Sequence, residues 1–314
     1  MRTTTARRLS AAAALLPVLA LAACGSDPGA TGPAGAGGAV TAAAQDVVSG
    51  VPKSDAAAAL LPEEVRAAGT LTFGASFGAP PTAFYADQAK KKPAGIDVDF
   101  TDAVARVLGL TVQREEAAFE TILPALDSGK FDVGTGNFGV TTARLRTIDF
   151  VTYIDDGQGF AVRRDDTRTE PVTDLVQLCG LTVGTGAGTT FETTLNARKD
   201  VCAAAGRKPY EVKAFSDSGA VLTSLQQGRV DVLMSTINGL RYQAAQEASG
   251  TRFLGEFHRL DVGFAFRKGS KLTPAFQAAV NQLIKDGTYE RILRKWGVAD
   301  SAVKESLISP PEHP

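Results

Sequence analysis

A short pattern occurs twice in this chain and limits the folds that the chain can adopt. Residues 126–133 read LDSGKFDV, and residues 225–232 read LQQGRVDV. Each copy has the form of a helix end, a glycine just after the helix and a short strand. A second repeat precedes each copy in the same order, LTFG at 71–74 and LTVG at 181–184. Chance similarity of common units is the alternative, but two repeats in the same order predict two similar lobes.

Strand and helix patterns alternate along both halves of the chain. Val98 to Leu108 is predicted to form a helix that ends at Gly109, with apolar residues on one face. Thr273 to Trp296 is predicted to form two short helices divided at Gly287. Alternation of this kind favours an α/β fold with mainly parallel sheets.

Four segments that follow predicted strands share a composition rich in Gly, Ser, Thr and Asn. None of them contains Asp or Glu, and they are residues 74–80, 134–139, 184–190 and 234–239. In open α/β sheets, ligands bind beyond the carboxyl ends of the strands, where small residues let backbone N–H groups approach. The sequence therefore predicts a ligand cleft between the lobes. Ordinary turn chemistry, which uses the same residues, is the alternative.

One of these segments also matches the spacing of the dinucleotide-binding fingerprint, through Gly134, Gly136 and Gly139. That fingerprint opens a long helix, whereas here a short segment leads into strand-like sequence at Ile148. We therefore predict no dinucleotide cofactor.

Charge and composition argue against other classes of protein. The 314 residues have a formal net charge of −1 and include two histidines and three cysteines. A nucleic-acid-binding protein normally presents a net basic surface. A zinc site needs about four N, S or O ligands that converge. We expect no nucleic-acid partner, no metal and no cofactor.

The beginning of the chain has the pattern of an export signal. Three arginines within the first eight residues precede an apolar run over 11–23. This run is shorter than the roughly 20 residues that span a bilayer, and it matches the apolar region of a signal peptide. We predict a signal peptide over residues 1–23.

The small residues before Cys24 resemble a bacterial lipobox. This resemblance implies that Cys24 is lipidated and anchors the exported protein to the outer face of the cell membrane. An ordinary secretory signal with a cysteine beside its cleavage site is the alternative. Low-complexity sequence rich in Gly, Ala and Pro predicts a flexible linker over residues 24–60.

With Cys24 lipidated, Cys179 and Cys202 remain as an even pair in an oxidising compartment. We expect a disulfide between them. Two unlinked buried thiols are the alternative.

Several further motifs occur in order along most of the chain after the linker. They are PAGIDVDF at 93–100, FETILPALDSGKFD at 119–132, TTAR at 141–144, DF at 149–150, DGTY at 286–289 and KWG at 295–297. This ordered set resembles the family 3 solute-binding proteins of ABC importers, which bind polar amino acids. The two paired cysteines resemble those of an actinobacterial lipoprotein subgroup.

The resemblance implies a two-lobed periplasmic-binding-protein fold of type II, with two hinge crossovers and a ligand cleft between the lobes. Lobe 1 would comprise residues 61–163 and 258–304, lobe 2 residues 164–257, and a flexible tail residues 305–314. The resemblance also implies a monomer that captures a small solute by hinge closure. That monomer would deliver the solute to an ABC permease and its ATPase, and contact the membrane only through its lipid anchor.

The resemblance further implies which residues hold the solute. Arg144 occupies the position of an arginine that clamps the ligand α-carboxylate, for which a guanidinium offers a rigid fork of donors. A surface ion pair with Asp149 or Glu120 is the alternative role. Thr190, preceded by Thr189, matches a hydroxyl donor at a helix start.

Aromatic and loop residues complete the expected site. Phe77 and Phe119 match the aromatic residues that sandwich the ligand side chain, and a third phenylalanine would extend this apolar wall. The loop residues expected in the site are Gly136, Asn137, Phe138 and Gly139.

Two departures from the family pattern bear on the ligand. Thr236 stands where the family usually has an Asp that pairs with the α-ammonium group. Burying an ammonium without a carboxylate is costly, so either Asp217 substitutes or the ligand lacks that amine. Gly74 stands where binders of lysine-like ligands often have an Asp. We expect an amino acid or a similar carboxylate-bearing solute without a cationic side chain.

Two other functions remain compatible with the same fold. A few members of the fold are periplasmic cyclic-acid dehydratases, but the predicted cleft loops contain no titratable acid or base. We therefore expect a binding protein and not an enzyme. A ligand sensor is the other alternative.

Overall fold

The structure is a computed structural model that describes residues 42–313. The predicted signal peptide, the lipidation site Cys24 and the first part of the predicted linker lie outside the described residues. Among the described helices, none has both the length and the apolar composition needed to cross a membrane.

A single eight-stranded mixed sheet runs through the whole fold. Its strand order is β4-β1-β5-β10-β6-β9-β7-β8, and a separate hairpin pairs β2 with β3. The strands are β1 Thr70–Ala75, β2 Phe84–Asp87, β3 Lys92–Ala94, β4 Thr111–Glu116, β5 Val133–Gly139, β6 Ile148–Arg163, β7 Thr182–Gly186, β8 Glu211–Phe215, β9 Val232–Thr236 and β10 Thr251–Arg267.

The two long strands β6 and β10 connect two halves of this sheet that are built alike. In one half β1 lies parallel to both β4 and β5, and in the other β7 lies parallel to both β8 and β9. The long strands pair antiparallel from Thr251 opposite Arg163 to Arg267 opposite Ile148. The predicted α/β fold with two lobes and two crossovers is therefore confirmed.

Helices cover the sheet in both lobes. They are α1 Asp55–Ala58, α2 Glu63–Ala68, α3 Ile96–Leu108, α4 Phe119–Asp127, α5 Thr190–Ala197, α6 Val201–Ala204, α7 Ser218–Gln226, α8 Ile237–Ala245, α9 Thr273–Lys285 and α10 Thr288–Trp296. Short 3₁₀ turns occupy Arg144–Arg146, Leu175–Leu178, Glu247–Ser249 and Ala299–Ser301. The predicted helix over 98–108 is thus present with two more residues at its start.

The repeated motif corresponds to the same local structure in both lobes. Gly129 follows α4 with φ of 74°, and Gly228 follows α7 with φ of 68°. A residue with a side chain is strained at such angles, which explains a glycine at both positions. Each glycine is followed by an inner strand, β5 or β9.

Each lobe has its own apolar core. The first core is rich in aromatic rings, among them Phe100, Tyr153 and Phe276, which are fully buried. The second core packs around Phe160 and contains the bonded pair Cys179–Cys202, whose Cα atoms are 5.6 Å apart. The expected disulfide is therefore present in the structure.

The predicted linker is wrong over its described part. Residues 42–60 pack against lobe 1, where Ala42, Val48, Val51 and Ala57 are buried in the core. Ser54 caps the short helix α1 by accepting a hydrogen bond from the backbone N–H of Ala57. The low-complexity sequence predicted a flexible segment, but it contains enough Ala and Val to cover one face of the core.

The predicted flexible tail is also wrong over its described part. Ser306 is only 1% exposed and donates a hydrogen bond to the backbone oxygen of Thr152 over 2.6 Å. Pro310 is buried as well. The segment packs along β6. The composition of these residues gives no sign of that contact.

We predict that the disulfide makes a measurable contribution to stability. It closes a loop with a sequence separation of 23 residues, for which the chain-entropy argument gives about 3 kcal/mol. The double substitution Cys179→Ala and Cys202→Ala should lower the free energy of unfolding by that amount in urea titrations. Alanine avoids burying a hydroxyl in the core of lobe 2. Reduced wild-type protein is the matched control, and a loss below about 1 kcal/mol would contradict the expectation.

Candidate functional site

A cavity of about 370 Å³ lies between the two lobes. Eight of the ten expected ligand-binding residues line it, and they are Phe77, Phe119, Gly136, Asn137, Arg144, Thr189, Thr190 and Thr236. The segments that carry them come from both lobes, at the carboxyl ends of β1, β4, β5, β7 and β9. The predicted position of the cleft is therefore correct.

The other two expected residues lie behind the cavity wall. Phe138 is fully buried and stacks on Phe119 with 4.7 Å between ring centroids. Gly139 uses its carbonyl oxygen to accept a hydrogen bond from Arg144. The sequence placed all four residues 136–139 in a loop, but β5 extends to Gly139. Since successive side chains of a strand point to opposite faces, Asn137 lines the cavity and Phe138 does not.

Arg144 is held by two carbonyl groups, one from each lobe. Its Nη1 donates to the oxygen of Gly139 over 3.0 Å, and its Nη2 donates to the oxygen of Gly188 over 3.3 Å. The guanidinium carbon also lies 5.9 Å from the ring centroid of Phe119. Burial lowers the pKa of Arg144 to about 10, so the side chain remains cationic at neutral pH.

No carboxylate of residues 42–313 forms an ion pair with this guanidinium. Asp149, one of the alternative partners, binds Lys268 over 2.7 Å instead. Glu120 lines the same cavity but forms no ion pair with Arg144. The alternative role of Arg144 as half of a surface ion pair is therefore excluded for these two partners.

Two threonines begin helices that face the cavity from lobe 2. Thr189 caps α5, because its Oγ1 accepts from the backbone N–H of Glu192 over 3.2 Å. Thr236 caps α8 in the same way, with the N–H of Gly239 at 3.0 Å. The prediction of a helix start at Thr190 is correct. A helix N-terminus presents unpaired N–H groups and a partial positive charge.

Three carboxylates of the described residues line the cavity, although the four predicted cleft loops contain none. They belong to Glu116 at the end of β4, Glu120 in the first turn of α4 and Asp217, the N-cap of α7. None lies in the four loops from which the cleft was predicted. The strand–helix junctions around β4 and α7 also meet the cleft, and they supply these acids. Of the three, only Asp217 is also indicated by the sequence, as a partner for an amine.

The three carboxylates differ in the hydrogen-bond and ion-pair partners that they have within the protein. Glu116 accepts from the hydroxyl of Tyr85 over 3.0 Å and lies 3.5 Å from the Nζ of Lys91. Asp217 accepts from the backbone N–H of Ala220 over 2.7 Å. The Oε2 of Glu120, by contrast, is buried and has no hydrogen-bond partner.

Two amides of the cavity wall also keep an unpaired acceptor. The Oδ1 of Asn137 and the Oε1 of Gln243 are buried without a hydrogen-bond partner. Together with Glu120, three side chains of the wall therefore offer free acceptors. Buried polar groups without a partner are costly, so such a wall suits a ligand with several N–H donors.

Asn137 is fixed from behind by two buried carboxylates. Its backbone N–H donates to Asp97 over 3.0 Å, and its Nδ2 donates to Asp156 over 3.1 Å. Asp156 also accepts from the backbone N–H of Asn238 at the start of α8. Burial raises the pKa of both carboxyl groups to about 6. This network connects lobe 1, a crossover strand and lobe 2 directly behind the cavity.

The lobes also touch each other in front of the cavity. Gly188, with φ of 71°, lies so close to α4 that an added Cβ would meet the Cβ of Glu120 at 2.7 Å. Any side chain at this position would push the lobes apart. The structure therefore has the lobes closed over the cavity.

The sequence and the structure both have known relatives. The profile of the bacterial extracellular solute-binding proteins, family 3, matches residues 71–299. The arginine-binding protein ArgT of Corynebacterium glutamicum is 31% identical over 253 residues, which cover 80% of this chain and 82% of the relative.

Solved structures give the same result. An ancestral arginine-binding protein bound to arginine is 32% identical, with a TM-score of 0.64 over 73% of this chain and 98% of its own. An ancestral amino-acid-binding protein, described as a precursor of cyclohexadienyl dehydratase, is 26% identical, with a TM-score of 0.65 over 74% of this chain and 98% of its own. Because the family profile matches well over half of it, this chain belongs to the family 3 bacterial extracellular solute-binding proteins.

Proposed function

We propose that this protein captures an amino acid with a cationic side chain, such as arginine, for an ABC importer. One observation carries the proposal. A partly buried guanidinium without a carboxylate partner among residues 42–313, that of Arg144, lines the same cavity as a buried carboxylate oxygen of Glu120 that has no hydrogen-bond partner among the described residues. A ligand that carries both a carboxylate and a cationic group would satisfy both.

Arg144 and the start of α5 form the end that receives the ligand carboxylate. A guanidinium has five N–H donors in one plane, and two carbonyl oxygens occupy only part of that set here. Thr190 begins α5 at the cavity wall, where the helix dipole adds positive potential. Both features favour a carboxylate at this end.

Glu120 and two aromatic rings form the part of the wall that receives the ligand cation. Phe77 and Phe119 line the cavity, and Phe77 stacks on Tyr85 with 4.5 Å between ring centroids. A guanidinium or ammonium group packs favourably over such rings. The carboxylate of Glu120 supplies the charge that a buried cation needs. This part of the proposal replaces the expectation of a non-cationic ligand, which rested on the absence of acids from four loops.

Neutral acceptors surround the position that would receive the α-ammonium group. Thr236 lies in the wall, and the free acceptors of Asn137 and Gln243 lie in the same cavity. We propose that these groups bind the α-ammonium group, with Asp217 as the lobe 2 carboxylate that lines the same cavity. The names of the two arginine-binding relatives support the choice of arginine.

The remaining steps, which are export, anchoring and delivery to the importer, are proposed from the family. We propose that the signal peptide over 1–23 is removed, that Cys24 is lipidated, and that the monomer stays at the outer face of the membrane. Closure about β6 and β10 would present the loaded protein to a permease and its ATPase. The membership in a family of extracellular solute-binding proteins supports this proposal.

We predict that cationic amino acids stabilise the protein most in a thermal-shift panel of the twenty amino acids. Ligand that binds only the folded state raises the melting temperature in proportion to the logarithm of concentration over Kd. Arginine and lysine should give the largest shifts. A larger shift with glutamate, or with neutral amino acids as a class, would overturn the proposed ligand.

We predict that Arg144→Ala weakens L-arginine binding by about two to four decades in calorimetry. Removing one partner of a buried charge pair costs about 3–5 kcal/mol. The ligand-free variant should keep its stability within about 1 kcal/mol, because the wild-type guanidinium is itself buried without a counter-charge. A Kd within threefold of wild type would contradict the proposed role.

We predict that Glu120→Gln lowers the affinity for arginine more than the affinity for glutamine. A hydrogen bond to a charged group contributes about 1.5–3 kcal/mol, so arginine should lose roughly 10- to 100-fold and glutamine less than about threefold. Asp127→Asn is the matched control, since Asp127 is exposed on the same helix and forms no hydrogen bond or ion pair with residues 42–313. Equal losses for the two ligands would show that Glu120 does not bind the side-chain cation.

A further inference from the structure

The segment 302–313, here named the strap, lies along an open edge of β6. Strand β9 pairs only with residues 158–162 of β6, which leaves the first half of that edge uncovered. The backbone N–H of Thr152 donates to Leu307 over 3.0 Å, and that of Ser309 donates to Phe150 over 2.9 Å. The strap therefore forms an irregular edge strand on lobe 1.

Side chains fix the strap in register. The hydroxyl of Ser306 reaches the backbone of β6, and its N–H donates to the Oδ1 of Asn281 on α9 over 2.8 Å. Ser309 accepts from the backbone N–H of Phe150 over 3.0 Å. These contacts bring the following residues to the loop that bears Arg144.

Glu312 caps that loop. Residues 140–146, here named the Arg144 turn, form one helical turn in which the N–H of Arg144 bonds to the Oγ1 of Thr141 over 3.2 Å. The N–H of Thr142 lies at the start of this turn and donates to the Oε2 of Glu312 over 2.7 Å. A carboxylate at the start of a helical turn satisfies a free N–H and complements the local dipole.

His313 bears on the start of the same turn from a second side. Its Nε2 lies 3.0 Å from the Oδ2 of Asp261 on β10. The backbone oxygen of Asp261 accepts from the N–H of Val140, the first residue of the turn, over 2.8 Å. Adjacent strap residues thus both bear on the start of the segment that positions the guanidinium.

We propose that Glu312 is a positioning residue for ligand binding, which acts on the ligand carboxylate through the Arg144 turn. The inference rests on the proposed role of Arg144. The guanidinium has to meet carbonyl groups of both lobes, and a rigid turn places it there without a loss of entropy on binding. Glu312 itself does not line the cavity.

A purely structural role for Glu312 makes a different prediction. A cap that only stabilises the fold changes the melting temperature and leaves the affinity of the folded protein unchanged. A positioning residue changes local order at the Arg144 turn and, through it, the affinity. The test therefore measures hydrogen exchange of the turn and affinity separately.

The experiment compares full-length Glu312→Ala with wild type and two matched variants. Glu312→Gln keeps an oxygen that can accept from Thr142 and serves as the conservative rescue. Glu305→Ala removes an exposed carboxylate of the same strap that forms no hydrogen bond or ion pair with the described residues. Hydrogen exchange is followed on ligand-free protein, and L-arginine binding is followed by calorimetry.

We expect Glu312→Ala to speed amide exchange within residues 140–146 and to raise the Kd for arginine about three- to tenfold, the range for loss of one cap. Glu312→Gln should stay within about threefold of wild type in Kd, and Glu305→Ala should change neither quantity. In the Arg144→Ala background, Glu312→Ala should no longer alter the residual arginine affinity measured by NMR, because the two positions are coupled.

Three results would overturn the inference. They are unchanged exchange at the turn, an unchanged Kd despite faster exchange, and an equal loss of affinity in the Arg144→Ala background. Different results would contradict the proposed function: wild type would bind no arginine, or Arg144→Ala would bind it with the affinity of wild type. Hydrogen exchange at the turn then still decides whether Glu312 holds it.

Discussion

The antiparallel pairing of β6 with β10 is the interaction on which the rest of the structure depends. It extends from residues 148 and 267 at one end to residues 163 and 251 at the other, so it passes through both lobes. Strand β5 lies beside β10 and β9 lies beside β6, which places two parallel half-sheets end to end. The carboxyl ends of the inner strands therefore face a common cleft, and the lobes can rotate about only two connections.

The cleft holds polar groups that the protein leaves unpaired. Arg144 is buried without a counter-charge, and Glu120, Asn137 and Gln243 are buried with a free acceptor. Each such group costs free energy in the closed protein without ligand. Behind them, Asp97 and Asp156 accept hydrogen bonds from Asn137, and Asp156 also accepts from the backbone N–H of Asn238 at the start of α8. A ligand that pairs with these groups of the cavity wall would recover this free energy, which supports the proposed capture of an amino acid with a cationic side chain.

Local patterns predicted the parts of the site whose geometry is local. The repeated glycines marked two helix ends, since a helix end depends on a few neighbouring residues. The family resemblance placed a helix start at Thr190, where α5 begins. The resemblance to a family identified Arg144 from four adjacent residues. The prediction of Phe138 as a wall residue was wrong. The glycines around it indicated a loop, but β5 extends to Gly139, and the side chain of Phe138 points away from the cavity into the core.

Sequence alone determined the α/β class and the two lobes and identified the cysteine pair, because these follow from repeated local patterns and from residue type. The family resemblance identified Arg144. Tertiary structure alone decided which carboxylates line the cavity. Glu116, Glu120 and Asp217 reach the cavity from strand–helix junctions outside the predicted loops, and Glu312 reaches the Arg144 turn from 170 residues away. No spacing along the chain encodes such contacts, since they exist only after β6 and β10 have paired and the lobes have closed.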